Sequence, residues 1–157
     1  MHINSFNQIY IHFVIVVKDR AKLITPTLEP ILHKYISSII ENRKNKTLII
    51  NGSKDHVHIL ISMHNTESPS SLMLCVKQYS TKFLKTEGLC KNFSWQEGYA
   101  SFSYSKSQIK DVYNYIANQK EHHRKKQLKK RLMTLSRKLT TYNFYHKKLW
   151  SCNCCFS

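Results

Sequence analysis

No apolar run in this sequence approaches the roughly 18 residues that a membrane-spanning helix needs. The longest, Ile9–Val17, is interrupted by Tyr10 and His12, so no transmembrane helix is expected. The opening residues Met1-His2-Ile3-Asn4 lack the basic stretch, apolar core and small-residue cleavage site of a secretory signal, which points to a cytoplasmic protein. Cysteine is odd in number, five residues of which three (Cys152, Cys154, Cys155) crowd the last six positions. That is a poor disulfide framework, and reduced thiols are expected. There is neither an internal repeat nor a linker rich in Gly or Ser, so the 157 residues read as one domain. Acid is scarce too: 9 Asp and Glu stand against 25 Lys and Arg, a formal charge of +16.

What is present is an ordinary globular composition carrying an unusual charge. Hydrophobic residues make up 41% and charged residues 22%, with a mean hydropathy of −0.44 and aromatics along the chain, which excludes a disordered or fibrous protein. Residues 120–157 hold eleven of the bases and one acid, Glu121, yet residues 1–119 are also net basic. A polyanion is the expected partner, and nucleic acid is the leading candidate for a chain with no membrane segment.

Hydrophobic periodicity gives the order of elements. Ile9–Val17 is β-branched and aromatic on both faces, the pattern of a central strand, and Lys18-Asp19-Arg20 ends it. From Thr27 to about Asn45, Leu28, Ile31, Leu32, Tyr35, Ile36, Ile39 and Ile40 recur at helical spacing. Thr47–Ile50 and His56–Ile61 read as antiparallel strands with Asn51-Gly52 as the turn material between them. Ser68-Pro69-Ser70-Ser71 caps a second helix whose apolar stripe is Leu72, Val76, Tyr79 and Phe83, with Lys77, Lys82 and Lys85 off the stripe and Gly88 helping to end it. Tyr99–Ser105 is a fourth strand, and Ser107 to about Lys126 a third helix. The order β-α-β-β-α-β-α predicts an α+β sandwich with helices packed on a sheet. Beyond it, Leu128, Leu132, Leu135 and Leu139 mark a further amphipathic helix with a strongly basic opposite face.

Two constellations carry chemistry. In Asp55-His56-Val57-His58, strand alternation puts His56 and His58 on the same face, a pair of potential metal ligands. Taken alone, the pair is equally readable as two packed histidines. In Tyr113–His123, the positions Val112, Tyr115, Ile116 and Gln119 form one helical stripe, so a phenol and an amide sit where an apolar stripe would continue. Tyr113 projects from another face and reads as surface or packing.

Together these elements resemble the single-tyrosine HUH transposases of small insertion sequences, over residues 9 to about 126. The resemblance rests on the first strand ending in Lys18-Asp19-Arg20, on Asp55-His56-Val57-His58, on Phe93-Ser94-Trp95-Gln96-Glu97-Gly98-Tyr99 leading to Phe102-Ser103, and on Tyr115-Ile116-Ala117-Asn118-Gln119-Lys120-Glu121-His122-His123. Histidine-triad hydrolases would require a third His at Leu60, and two-histidine phosphodiesterases a repeated His-x-Thr or His-x-Ser; neither pattern is present.

The resemblance implies a ferredoxin-like core with a central antiparallel sheet. It implies that His56, His58 and Gln119 bind Mg²⁺ or Mn²⁺ and that Tyr115 is the nucleophile, leaving a 5′-phosphotyrosine and a free 3′-hydroxyl. Two nitrogens and an amide oxygen with positions left for water and phosphate suit such a cation better than a closed zinc site. It implies single-stranded DNA with subterminal hairpins as substrate and a homodimer as the working form. Lys18, Arg20, Lys77 and Lys82 are the candidates for DNA backbone contacts. A catalytically silent hairpin-binding descendant is the alternative; a replication initiator or relaxase on the same histidine pair would need a longer chain.

The likeness ends near Lys125. Residues 1–126 are therefore assigned to the transposase domain and 127–157 to a basic C-terminal helical extension, where related chains carry an acidic-hydrophobic helix. The extension is either a basic arm for DNA or the product of a frameshift, and its Cys-x-Cys-Cys lacks the second ligand pair of a zinc site.

Overall fold

The computed structural model describes residues 8–119. Its elements are β1 (Tyr10–Val16), α1 (Leu28–Asn42), β2 (Lys46–Ser53), β3 (His56–Ser62), α2 (Pro69–Thr86), β4 (Ala100–Tyr104) and α3 (Ile109–Ala117), with short 3₁₀ turns at Lys18–Arg20 and Lys106–Gln108. The four strands form one antiparallel sheet in the order β2-β3-β1-β4, the ferredoxin-like arrangement that the resemblance implies. No helix among the described residues is long and apolar enough to cross a membrane.

The central strands separate two layers. Odd-numbered residues of both strands (Ile11, Phe13, Ile15, Val57, Ile59, Ile61) face α1 and α2, where Leu32, Ile36, Ile40, Leu72, Met73, Val76 and Leu84 close the main core. Each fully buried large aliphatic or aromatic side chain there contributes roughly 1.5–3 kcal/mol. Even-numbered residues His12, His56, His58 and Leu60 face the opposite layer, which is covered in part by α3 through Val112 and Ile116. β2 shifts register between Thr47 and Ile49, and the bulge lets Leu48 and Ile49 both pack on the α3 side.

Two local expectations are corrected. Asn51-Gly52 is not the hairpin turn: both residues belong to β2, opposite His58 and Val57, and the chain reverses at Lys54-Asp55. Gly52 is needed because a Cβ there would collide with the His56 carbonyl and crowd the Val57 Cα. The stripe of α2 is Leu72, Met73, Val76, Ser80 and Leu84; Tyr79 lies 51% exposed, and Phe83 is half-buried, stacked on Tyr35 with centroids 4.0 Å apart. Ser80 is admitted to the core because its hydroxyl donates to the Val76 carbonyl and accepts the Trp95 indole N–H. The third helix begins as a 3₁₀ turn and is regular over Ile109–Ala117. Its proposed continuation to Lys126, His122 and His123, the domain boundary at 126 and the basic extension lie outside the described residues.

The caps fall where the sequence puts them. Ser68 Oγ accepts the Ser71 amide ahead of Pro69, and Gly88 takes φ +67° just past the end of α2.

Candidate active site

The histidine pair is positioned by the tight β2–β3 hairpin. His56 and His58 are buried on the α3 side of the sheet, their ring centroids 5.1 Å apart and nearly perpendicular. Each has a partner on its Nδ1. Asp55 Oδ1 lies 2.6 Å from His56 Nδ1, and the Asp55 backbone carbonyl accepts the Val17 amide, which locks the hairpin tip to the end of β1. His12 Nε2 lies 2.8 Å from His58 Nδ1, the two rings stacked at 5.1 Å.

Electrostatics follow from burial and neighbours. Burial works to raise the Asp55 carboxyl, but the hydrogen bond and charge of His56 and the Arg20 guanidinium outweigh it, so the group sits below the usual carboxylate range. Arg20 Nη1 is 3.5 Å from Asp55 Oδ2 on an exposed side chain, a weak ion pair by itself. Burial pushes His12 down to about 4, so its ring is neutral near pH 7.

α3 brings the phenol. Val112 and Ile116 dock on Leu60, and the half-buried Tyr115 ring stands edge-on to His58 at 6.1 Å. Asn51 Nδ2 donates to the carbonyls of Ile116 (2.8 Å) and Ala117 (3.0 Å), satisfying the end of α3 from β2. Burial raises the neighbouring Tyr104 phenol, and Tyr115 adds to the effect.

Gln119 follows the end of α3 and is fully buried. Neither its Oε1 nor its Nε2 has a hydrogen-bond partner among the described residues. A primary amide left this way costs roughly 1–3 kcal/mol. Among the described residues no three His, Cys, Asp or Glu side chains come together as a metal cluster. Gln119 Oε1 is an oxygen donor that, together with two imidazoles, would make a mixed N,O donor set of the kind that fits a hard divalent cation with open positions.

The candidate DNA contacts divide. Lys18 and Arg20 stand beside the hairpin tip, in a turn where Asp19 and Arg20 take φ of 55° and 53° and the Lys18 and Asp19 amides donate to Ser94 O and Gln96 Oε1. Lys77 and Lys82 are on α2, in the layer across the sheet from the histidines, lining an open groove with Leu74, Trp95 and Tyr99. Lys77 Nζ donates to the carbonyls of Gln96 (2.7 Å) and Gly98 (3.0 Å), and burial lowers its pKa. Much of its hydrogen-bonding capacity is spent on that loop, whereas Lys82 is exposed.

Sequence reasoning missed two residues of the site. His12 was legible only as a break in an apolar strand, although a lone imidazole on the even-numbered face shared by the paired histidines was the available signal. Asn51 was hidden by its neighbour Gly52, since Asn-Gly is a strong turn signature.

Comparison with known proteins gives a consistent picture. A family model described as "Transposase IS200 like" matches residues 5–119. Among solved structures, a protein of Deinococcus radiodurans R1 assigned as a transposase superposes with a TM-score of 0.60 at 14% identity, covering 76% of this chain and 96% of the other. A REP-associated tyrosine transposase bound to a REP hairpin gives a TM-score of 0.59, also at 14% identity, with 78% and 73% covered. These likenesses are of fold. No curated protein matches at a significant level.

Proposed function

Because the chain belongs to the IS200-like transposase family, we propose that it cleaves and rejoins single-stranded DNA through Tyr115, with Mg²⁺ or Mn²⁺ held by His56, His58 and Gln119. The observation that carries the reading is the meeting of the Tyr115 ring with the buried His56 and His58 on the α3 side of the sheet, with Gln119 buried just after α3 and its amide without a hydrogen-bond partner among the described residues.

In the proposed reaction Tyr115 Oη bonds to the scissile phosphorus while the bond to the 3′ oxygen breaks. The phenol gives up its proton and the departing oxygen gains one, so the step balances with no co-reactant and leaves a 5′-phosphotyrosine and a 3′-hydroxyl. The ester keeps the energy of the broken bond, and a second 3′-hydroxyl can attack it to release Tyr115. A bound divalent cation would neutralise and polarise the phosphate. The protein's own part is to hold the phenol by docking α3 and to fix its imidazoles through Asp55 and His12.

The proposed substrate is single-stranded DNA with subterminal hairpins. The +16 charge supports a polyanion, and the fold shared with a REP-associated tyrosine transposase bound to a REP hairpin supports the hairpin class. Lys18, Arg20 and Lys82 are the proposed backbone contacts, and a homodimer is the proposed assembly, to be measured by light scattering.

The test is incubation of the protein with labelled single strands flanking its gene, with Mg²⁺ or Mn²⁺, followed by a denaturing protein gel. A protease-sensitive labelled adduct that requires metal and is lost in Tyr115→Phe is expected. An adduct that persists in Tyr115→Phe reassigns the nucleophile, with Tyr113 next. Binding without any adduct identifies a catalytically silent binding protein.

A further inference from the structure

We infer that His12 is a positioning residue for metal ligation, accepting the Nδ1–H of His58 and thereby committing His58 to the tautomer that presents its Nε2 lone pair to the cation. This rests on the proposed assignment of His56 and His58 as ligands.

A neutral imidazole has one N–H and one lone pair, on different nitrogens. On His56 the assignment is fixed by Asp55: a carboxylate accepts, so the hydrogen lies on Nδ1 and ligation falls to Nε2. On His58 the nitrogen corresponding to that contact faces an imidazole instead, His12 Nε2 at 2.8 Å. One hydrogen lies between the two nitrogens. If His12 supplied it, His58 would hold its own hydrogen on Nε2 and could not ligate there. Ligation by both histidines from the same side of the sheet therefore requires His12 to accept.

The surroundings suit that task. His12 is on a central strand with 4% exposure, its ring set between His58, Phe102 (6.0 Å) and Tyr104 (6.3 Å). The backbone beneath it is paired on both sides, opposite Leu60 and Phe102. His12 Nε2 is not itself a third ligand with His58, because that nitrogen is engaged by His58 Nδ1. A neutral acceptor also sets the tautomer without adding a second negative charge to that of Asp55, leaving more net positive charge at the site for phosphate.

The test has two parts. In metal-free protein labelled with ¹⁵N-histidine, two-bond ¹H–¹⁵N correlation spectra report each tautomer, and an Nδ1–H His58 is expected. An Nε2–H His58 overturns the inference, and this measurement needs no variant to fold. Mn²⁺ affinity, measured by calorimetry, is then compared among wild type, His12→Gln, His12→Phe and His58→Ala. Loss of an outer-shell partner typically costs about 10–100-fold in metal affinity, so His12→Phe should weaken binding by that factor while His12→Gln, which keeps an acceptor, stays near wild type. Binding that requires His58 yet is unchanged in His12→Phe overturns the inference alone. Binding unaffected by His58→Ala overturns the ligand assignment beneath it as well.

Discussion

Replacing Asn51 by Ala removes the two hydrogen bonds that hold the end of α3, those to the carbonyls of Ile116 and Ala117, together with the acceptor of the Gly52 amide. A neutral intramolecular hydrogen bond is worth about 0.5–1.5 kcal/mol net, so losing the pair weakens docking by about 1–3 kcal/mol. Since 1.4 kcal/mol is tenfold, the population with α3 undocked should rise about five- to 150-fold. Among the described residues the apolar contact left to the helix is a small cluster, Val112 and Ile116 with Leu60, flanked by the partly buried Leu48, Ile49, Tyr104 and Ile109. Amide hydrogen exchange reads the effect directly: Tyr115 and Ile116 should lose protection by that factor, while Phe13 and Ile59 in the central strands keep theirs. Asn51→Asp should be worse than Ala, because it turns a carboxylate toward two carbonyl oxygens. Unchanged protection of α3 in Asn51→Ala would refute the claim that β2 fixes the tyrosine helix through this side chain, whatever the variant does to activity.

Gly52→Ala drives a Cβ against the His56 carbonyl and the Val57 Cα, which are backbone atoms with no rotamer to escape into. A loss of about 1–3 kcal/mol in urea unfolding is expected, and a wild-type midpoint would contradict the close approach. Ser80→Ala strands the buried Trp95 indole N–H and should cost about 1–3 kcal/mol by the same assay. The His12 pKa lies at about 4 in the folded protein against 6.5 ordinarily, so between these values the unfolded chain binds a proton that the folded one does not. In chelator, stability should be full above pH 6.5 and decline by on the order of 3 kcal/mol toward pH 4, a slope that His12→Gln removes. Lys82→Ala should lower the salt dependence of single-strand binding by about 0.7 in log–log slope. Lys77→Ala, by contrast, should loosen the Gln96–Gly98 loop, seen as faster exchange of its amides.

The sequence by itself determined the order of elements and that the two histidines share one face of the sheet. A β-branched first strand, helical spacings in α1 and the His56-Val57-His58 alternation are local, period-bound signals, and local periodicity survives into the fold because burial enforces it. The same arithmetic put Tyr115 and Gln119 on a stripe with Val112 and Ile116, and the burial of the stripe agrees. Tertiary structure alone decided where the hairpin turns, which face of α2 is buried and what each polar group touches. Asn51-Gly52 has strong turn propensity, yet pairing with His58 and Val57 and the reach of Asn51 to α3 keep it in the strand. Ser80 enters the core in place of Tyr79 because a tryptophan fifteen residues on needs an acceptor there. His12 and His58 are 46 positions apart and meet only because β1 lies beside β3 in the sheet. Periodicity ranks positions by burial, but a hydrogen bond between distant residues depends on register and approach, which only the assembled sheet supplies.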